Sequence, residues 1–379
     1  LDRYQTEIVK AASDFAKGEF RRELALELDK KSEFPSHIWK KAAELGFIGI
    51  HFDEEFSGGG LGLFENVLLA EAFCRHDSSI GAALMLAGFA SECLLRFGSE
   101  NLKRAYLPDV AEGRILCDGA FLEGPNDYGL KAQRTIAVKQ DEQWVINGKK
   151  ISVVNGKTAG FFIVFCDTYS GADENVTPSL FLVEKAMQGV VVHAADETLG
   201  LRLTSISDME FRNVRVPANH MVGSSGQARR IMKVYWNECR ILLAGMAIGL
   251  AQGAFDRARD YVKQRSQFGK KLALFQITRH KLARMAVKIE AARRLTYHAA
   301  MQQHAKNNNP SLGSMAKLSA ARTAVEVSYE AIQLLGGYGY MTEYDVERYY
   351  RDAKTIEIFG GNTSHLLDDI GESVVGRVR

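Results

Sequence analysis

Apolar positions repeat at helical spacing early in the chain, shorten to strand-like runs in the middle, and return to helical spacing to the end. Residues 1–113 read as helices. Ser36-His37-Ile38-Trp39-Lys40-Lys41-Ala42-Ala43-Glu44-Leu45-Gly46 has helical apolar spacing, with Gly46 as the expected stop. Phe56-Ser57-Gly58-Gly59-Gly60 predicts a loop, after which apolar positions resume at Leu68, Leu69, Ala72 and Phe73. In 114–223 the runs Thr135–Val138, Gln143–Ile146, Phe161–Phe165 and Ser179–Val183 are β-rich and cut by Gly, Asn and Asp. No helical segment intervenes, so antiparallel pairing is expected, not a βαβ unit. In 224–379 helices are predicted at Arg240–Arg265, Phe275–Lys306 and Ser311–Leu335. The first is apolar almost all round and should be buried. Asn307-Asn308-Asn309-Pro310 reads as a turn, and Gly336-Gly337 ends the last helix.

Composition adds mainly exclusions. A chain of 379 residues with 46% hydrophobic and 25% charged positions has enough apolar material for two or three compact units. Lys plus Arg number 48 against 46 Asp plus Glu, a net charge of +2, which argues against a nucleic-acid partner held by charge. The longest apolar run, Ile241–Leu250, falls short of the roughly 20 residues that span a bilayer, so no membrane span is predicted. Without a secretory leader a cytoplasmic protein is expected. The start at Leu1 leaves a trimmed transit peptide, and so the mitochondrial matrix, as the other address. Cys74, Cys93, Cys117, Cys166 and Cys239 are scattered, which predicts neither a disulfide framework nor a metal site.

Ordered motifs carry the functional reading. Arg351-Asp352-Ala353-Lys354-Thr355-Ile356-Glu357-Ile358-Phe359-Gly360-Gly361-Asn362-Thr363 resembles the C-terminal R-D-A-K-x-x-x-I-Y-E-G-T signature of acyl-CoA dehydrogenases. Arg265-Ser266-Gln267-Phe268-Gly269-Lys270 is similar to that family's R-x-Q-F-G-K, and Gln333-Leu334-Leu335-Gly336-Gly337-Tyr338-Gly339-Tyr340 to its Q-x-x-G-G-x-G-Y. Asn147-Gly148-Lys149-Lys150, Ser179–Lys185 and Phe211–Pro217 resemble its N-G-x-K, F-L-V-x-K and F-x-x-V-x-V-P segments. The resemblance implies an α+β multidomain fold: a helical N-domain, an antiparallel β middle domain and a C-terminal four-helix bundle. It also implies FAD between the middle and C-terminal domains, with a second subunit over the adenine end, hence a homodimer or homotetramer.

By that resemblance Arg265, Gln267, Phe268, Gln333, Gly336 and Gly337 meet the diphosphate and adenosine part of FAD. A guanidinium offers paired donors to phosphate, and glycine permits close backbone approach. For Arg265 a helix C-terminal role is the structural alternative; for the glycines it is a simple chain turn. At the flavin-ring end the family's Thr is Leu122, in Ala120-Phe121-Leu122-Glu123-Gly124-Pro125-Asn126-Asp127-Tyr128-Gly129. Its Trp and second Thr are Ser152 and Val154, and Thr363, the last residue of the signature, is a further expected FAD contact. Two hydroxyl donors and an aromatic platform are thus absent, each lost hydrogen bond being worth about 0.5–1.5 kcal/mol.

The family's catalytic base is a Glu where this chain has Gly360. Some members place it before an Arg in an E-R-L-L-I-A-like run, and that position is Cys239. Surrogates within the sequence are Glu238, His365 and Glu123. The structural alternatives are a solvated helix residue for Glu238, a surface or helix-start residue for His365, and packing for Cys239. Arg240, Asn237, Gly360 and Gly361 are the expected substrate contacts, with a structural ion pair as the alternative for Arg240. The implied activity is FAD-dependent oxidation of an acyl thioester, on CoA or acyl-carrier protein, by a variant mechanism. An electron-transferring flavoprotein is the implied acceptor. The alternative is a flavin-free or catalytically silent homologue, using the thioester cleft for non-redox chemistry or as a partner subunit.

Overall fold

The computed structural model describes residues 1–124, 133–169, 176–304 and 310–376. Seven helices come first: α1 Arg3–Glu19, α2 Arg22–Lys31, α3 Ser36–Glu44, α4 Leu63–His76, α5 Ser78–Leu86, α6 Ser91–Phe97 and α7 Glu100–Ala111. Local signals set their ends. Asp2 and Gln5 form a reciprocal capping box on α1, and Gly46 follows α3 with φ +74°. Asp77 accepts the N–H groups of Ser79 and Ile80 to open α5.

Among the described residues eight strands follow: β1 Cys117–Ala120, β2 Ile136–Gln140, β3 Gln143–Val154, β4 Phe161–Tyr169, β5 Thr177–Glu184, β6 Val190–Ala195, β7 Ile206–Pro217 and β8 Met221–Val222. They form one sheet in the order β6-β7-β3-β2-β4-β5-β8, with β1 also on β4. Most pairings are antiparallel as expected, but β1 and β2 both run parallel to β4. The expectation of purely antiparallel pairing is corrected here. β1 covers Phe161–Val164 and β2 covers Asp167–Tyr169, so the two lie end to end along one side of β4. A helix is not needed, because the chain passes through β3 before returning to β4.

The C-terminal part has α8 Ala228–Gln264, a small hairpin of β9 Ser266–Gln267 and β10 Lys270–Lys271, then α9 Gln276–His304, α10 Pro310–Leu335, α11 Val346–Ile358 and α12 Thr363–Val375. The first of these begins a dozen residues before the expected Arg240. Asn307–Asn309 of the expected turn lie outside the described residues. On α8, Gly245, Gly249 and Gly253 fall at four-residue intervals against α4. A Cβ on Gly249 would stand 2.3 Å from the Glu71 carbonyl oxygen, and one on Gly253 would stand 2.4 Å from that of Arg75. Small residues therefore let the two backbones touch, and α8 is fixed against the N-terminal helices. Ser78–Phe97 and α8 are apolar enough by composition to cross a bilayer, yet 83% and 89% of their apolar windows are buried within the protein. Burial in the core accounts for that apolarity.

Candidate active site

The end of β1, the end of β3, the N-terminal part of α8 and the C-terminus of α11 converge on a cleft of about 520 Å³. Leu122, Ser152 and Val154 from the sheet face Lys354, Phe359, Gly360 and Asn362 from the helical part across it. Four sequence-predicted positions (Leu122, Ser152, Val154 and Gly360) are thus brought together. The Ile151 N–H donates to the Leu122 carbonyl at 2.8 Å, which ties the two sheet segments. Ser152 has φ +54° and its N–H donates to Asp208 at 3.1 Å. Pro125, Asn126, Asp127, Tyr128 and Gly129 of the predicted loop lie outside the described residues. Phe121, Tyr235 and Trp236 form one wall, with ring centroids 5.2 to 5.9 Å apart.

Gly360 differs from a simple loss of side chain. Its φ is +71°, and a Cβ there would lie 2.5 Å from Leu243 Cδ1. Arg240 Nε donates to its carbonyl at 3.0 Å, and Lys317 Nζ donates to the carbonyls of Glu357 at 2.8 Å and Gly361 at 2.7 Å. Two cations thus brace the turn after α11. Burial, helped by the charge of Arg240, lowers the Lys317 ammonium to about 7. Arg240 also pairs with Asp369 at 2.6 Å and donates to Ser314. It is a structural ion pair by this geometry and does not line the cleft. Asn237 donates to Gln303 at 2.9 Å and is likewise outside the cleft. Gly361, Thr363 and His365 lie beside the turn but not on the cleft wall. Thr363 opens α12, whose N-cap Asn362 accepts the His365 N–H at 3.0 Å. The helix-start alternative for His365 fits this placement.

The other surrogate bases are also occupied elsewhere. Glu123 is buried and pairs with Lys150 at 2.8 Å, while the N–H groups of Arg134 and Thr135 donate to it at 2.7 and 2.8 Å. Burial pushes its carboxyl up, but the Lys150 charge and these donors outweigh that and hold it at about 2. A carboxylate so stabilised is a poor base. Glu238 is not the solvated helix residue expected as its structural alternative. It is 4% exposed and pairs with Arg96 at 3.1 Å. Burial and the charge of Glu92 raise its carboxyl, but it faces away from the cleft. Cys239 is buried, and burial pushes its thiol well up despite a hydrogen bond from Tyr235. It packs; it is no nucleophile.

A second cleft of about 680 Å³ gathers Arg265, Gln267, Gln333, Gly336 and Gly337. The Arg265 guanidinium stands 5.8 Å from the Tyr338 ring centre and has no carboxylate partner among the described residues. A Cβ on Gly336 or Gly337 would meet nothing within 4 Å, so the backbone here borders open space. Phe268, at the tip of the β9–β10 hairpin, is 92% exposed and outside both clefts. An uncompensated guanidinium beside open glycine backbone fits a diphosphate, and the first cleft has room for a planar ring.

Sequence reasoning missed Asp118, Phe121, Tyr235 and Trp236. The one available signal was an acid inside the apolar run Leu116-Cys117-Asp118-Gly119-Ala120-Phe121.

Comparison with known proteins agrees with this arrangement. Family models for the acyl-CoA dehydrogenase N-terminal, middle and C-terminal domains match residues 2–114, 127–214 and 228–375. An acyl-CoA dehydrogenase of Bacillus subtilis is 35% identical over 93% of each chain. The butyryl-CoA dehydrogenase structure from Megasphaera elsdenii is 30% identical with a TM-score of 0.93, over 99% of each chain. A glutaryl-CoA dehydrogenase from Mycobacterium smegmatis, solved with FADH2, is 26% identical with a TM-score of 0.91, over 100% of this chain and 96% of that one. With its whole length covered by these matches and its helix–sheet–helix architecture shared, the chain belongs to the acyl-CoA dehydrogenase family.

Proposed function

We propose that this chain is an FAD-dependent oxidoreductase acting on an acyl thioester, borne by CoA or acyl-carrier protein, by a variant of its family's mechanism. The observation that supports this most is the meeting of Leu122, Ser152 and Val154 with Gly360 in one cleft of about 520 Å³, within the usual size range for small-molecule sites. Bound there, FAD supplies the acceptor for a hydride leaving the acyl chain. The protein's own part is to hold and shield. Leu122 and Val154 offer apolar contact in place of hydroxyl donors, and Phe121, Tyr235 and Trp236 exclude water from the acyl group. With Gly360 at the usual base position, proton removal falls to another group.

In this reading the domains divide at 1–113, 114–223 and 224–379. Arg265, Gln267, Phe268, Gln333, Gly336 and Gly337 hold the diphosphate and adenosine end. In this reading a second copy of the chain covers the adenine end of the cofactor, in a homodimer or homotetramer. An electron-transferring flavoprotein takes the electrons, and the compartment is the cytoplasm or the mitochondrial matrix. The test is the absorption spectrum of the purified protein, with identification of any cofactor released on denaturation, followed by thioester titration. A flavin spectrum, released FAD and bleaching by a thioester are the expected results. A colourless protein that cannot be loaded with FAD would overturn the reading in favour of a flavin-free homologue; flavin that no thioester bleaches would favour the silent one.

A further inference from the structure

The cleft lining includes an acid, Asp118, with no counter-charge among the described residues. Asp118, on β1, lines the cleft and is 3% exposed. The Gly119 N–H donates to Oδ1 at 2.6 Å and the Asn155 amide lies alongside. Oδ2 is buried without a hydrogen-bond partner among the described residues. No Lys, Arg or His pairs with Asp118 among the described residues. Such a group is rare in a folded interior, because each buried polar atom left unpaired lowers stability. By contrast, Asp196, which also lines the cleft, is exposed and solvated.

The surroundings narrow what would complete it. Phe121, Tyr235 and Trp236 line the same cleft and contact one another edge-on. Aromatic faces carry negative potential and attract cations, most strongly where water is excluded. An alkyl acyl group would leave Oδ2 unsatisfied. An alcohol would satisfy it by a neutral hydrogen bond but would not exploit the rings. An ammonium group does both: it donates to Oδ2, neutralises the carboxylate and presents its charge to the aromatic wall. Burial pushes the Asp118 carboxyl well above the usual carboxylate range, and an ammonium beside it would bring it back down.

We propose that Asp118, with the Phe121, Tyr235 and Trp236 rings, binds a protonated amine on the acyl group, so that the substrate class is an amino-substituted acyl thioester. The inference rests on the thioester reading above and narrows it. Nothing covalent is required of Asp118; it is a binding residue.

The experiment uses the FAD-loaded protein and calorimetric titration with two matched pairs of CoA thioesters. One pair is 3-aminopropionyl and butyryl; the other is 2-aminobutyryl and 2-methylbutyryl. Members of a pair differ by an ammonium in place of a methyl group. In at least one pair the amine is expected to bind about tenfold or more tighter, and Asp118→Asn is expected to abolish that preference. Equal affinity in both pairs, or tighter binding of the alkyl member, overturns the proposal. So does a preference that survives in Asp118→Asn. If that variant fails to fold, the wild-type comparison still decides the ligand class, and Trp236→Leu is expected to reduce the preference severalfold. Binding of alkyl thioesters alone would leave the thioester reading intact while ending this one. Failure of all four acyl groups to bind the flavin-loaded protein, presented both on CoA and on acyl-carrier protein, would overturn both.

Discussion

At Gly360 the backbone as well as the side chain matters. The left-handed φ of +71° and the closeness of Leu243 mean that the turn suits a residue without a Cβ. Gly360→Ala is therefore expected to lower stability by about 1–2 kcal/mol through the backbone alone, read from the midpoint of urea unfolding. An unchanged midpoint would show that the turn relaxes freely. The identity of Gly360 was legible in the sequence, because the surrounding signature sets its alignment. Its backbone strain was not, since φ depends on where Arg240 and Lys317 hold the flanking carbonyls. Asp118 was legible only as an acid in an apolar run, for the converse reason. A single acid in an apolar strand becomes chemically informative only when its neighbours are known, and they come from α8, about 120 residues away in the chain.

Among the elements, the junction of β1 and β2 along β4 decides the shape of the sheet side of the cleft. Lys150, fully buried on β3, reaches Glu123 at 2.8 Å, Gln133 at 2.7 Å and the Phe121 carbonyl at 3.3 Å. It thereby joins the chain leaving β1 to the chain entering β2. Removing one partner of a buried pair leaves an uncompensated charge, so Lys150→Met should cost about 3–5 kcal/mol. The pH dependence has a definite sign. The Glu123 carboxyl is held at about 2 against an ordinary value of 4.5, so the pair stabilises fully above about 4.5 and is lost as pH falls towards 2. Lys150→Met should flatten the wild-type loss of stability in that window, measured by denaturant unfolding at several pH values. Equal slopes would show that Glu123 does not control it. The Asn147-Gly148-Lys149-Lys150 motif was legible as a family mark, yet its structural task was not.

Across the whole molecule, α11, which carries the start of the C-terminal signature, ties distant parts of the chain together. Arg348 donates to Asp77 through both terminal nitrogens, at 2.8 and 2.6 Å, with both groups buried. Burial raises the Asp77 carboxyl, but Arg348 more than offsets this and holds it low. Asp352 accepts from the hydroxyls of Ser78 and Ser79, both at 2.6 Å, and from the Leu201 N–H at 2.7 Å. Arg351 reaches Asp29 at 2.9 Å. One helix, α11, therefore holds α2, α5 and the chain before β7. Arg348→Met should lower global stability by about 3–5 kcal/mol, measured by reversible denaturation. A loss below about 1 kcal/mol would show that Asp77 finds other partners.

The sequence by itself determined the succession of helices, strands and helices, because apolar periodicity is local. It also determined the family, because ordered motifs keep their spacing whatever their geometry. It predicted altered residues at the ring-end and base positions. Tertiary structure alone decided that β1 and β2 share β4 in parallel, that Glu123 and Glu238 are held in ion pairs, and that Arg240 braces a turn. These depend on contacts between residues tens to hundreds of positions apart, where burial fixes both charge state and direction. Asp118 meets Tyr235 and Trp236 for the same reason: packing, not spacing, puts an acid and an aromatic wall in one cleft.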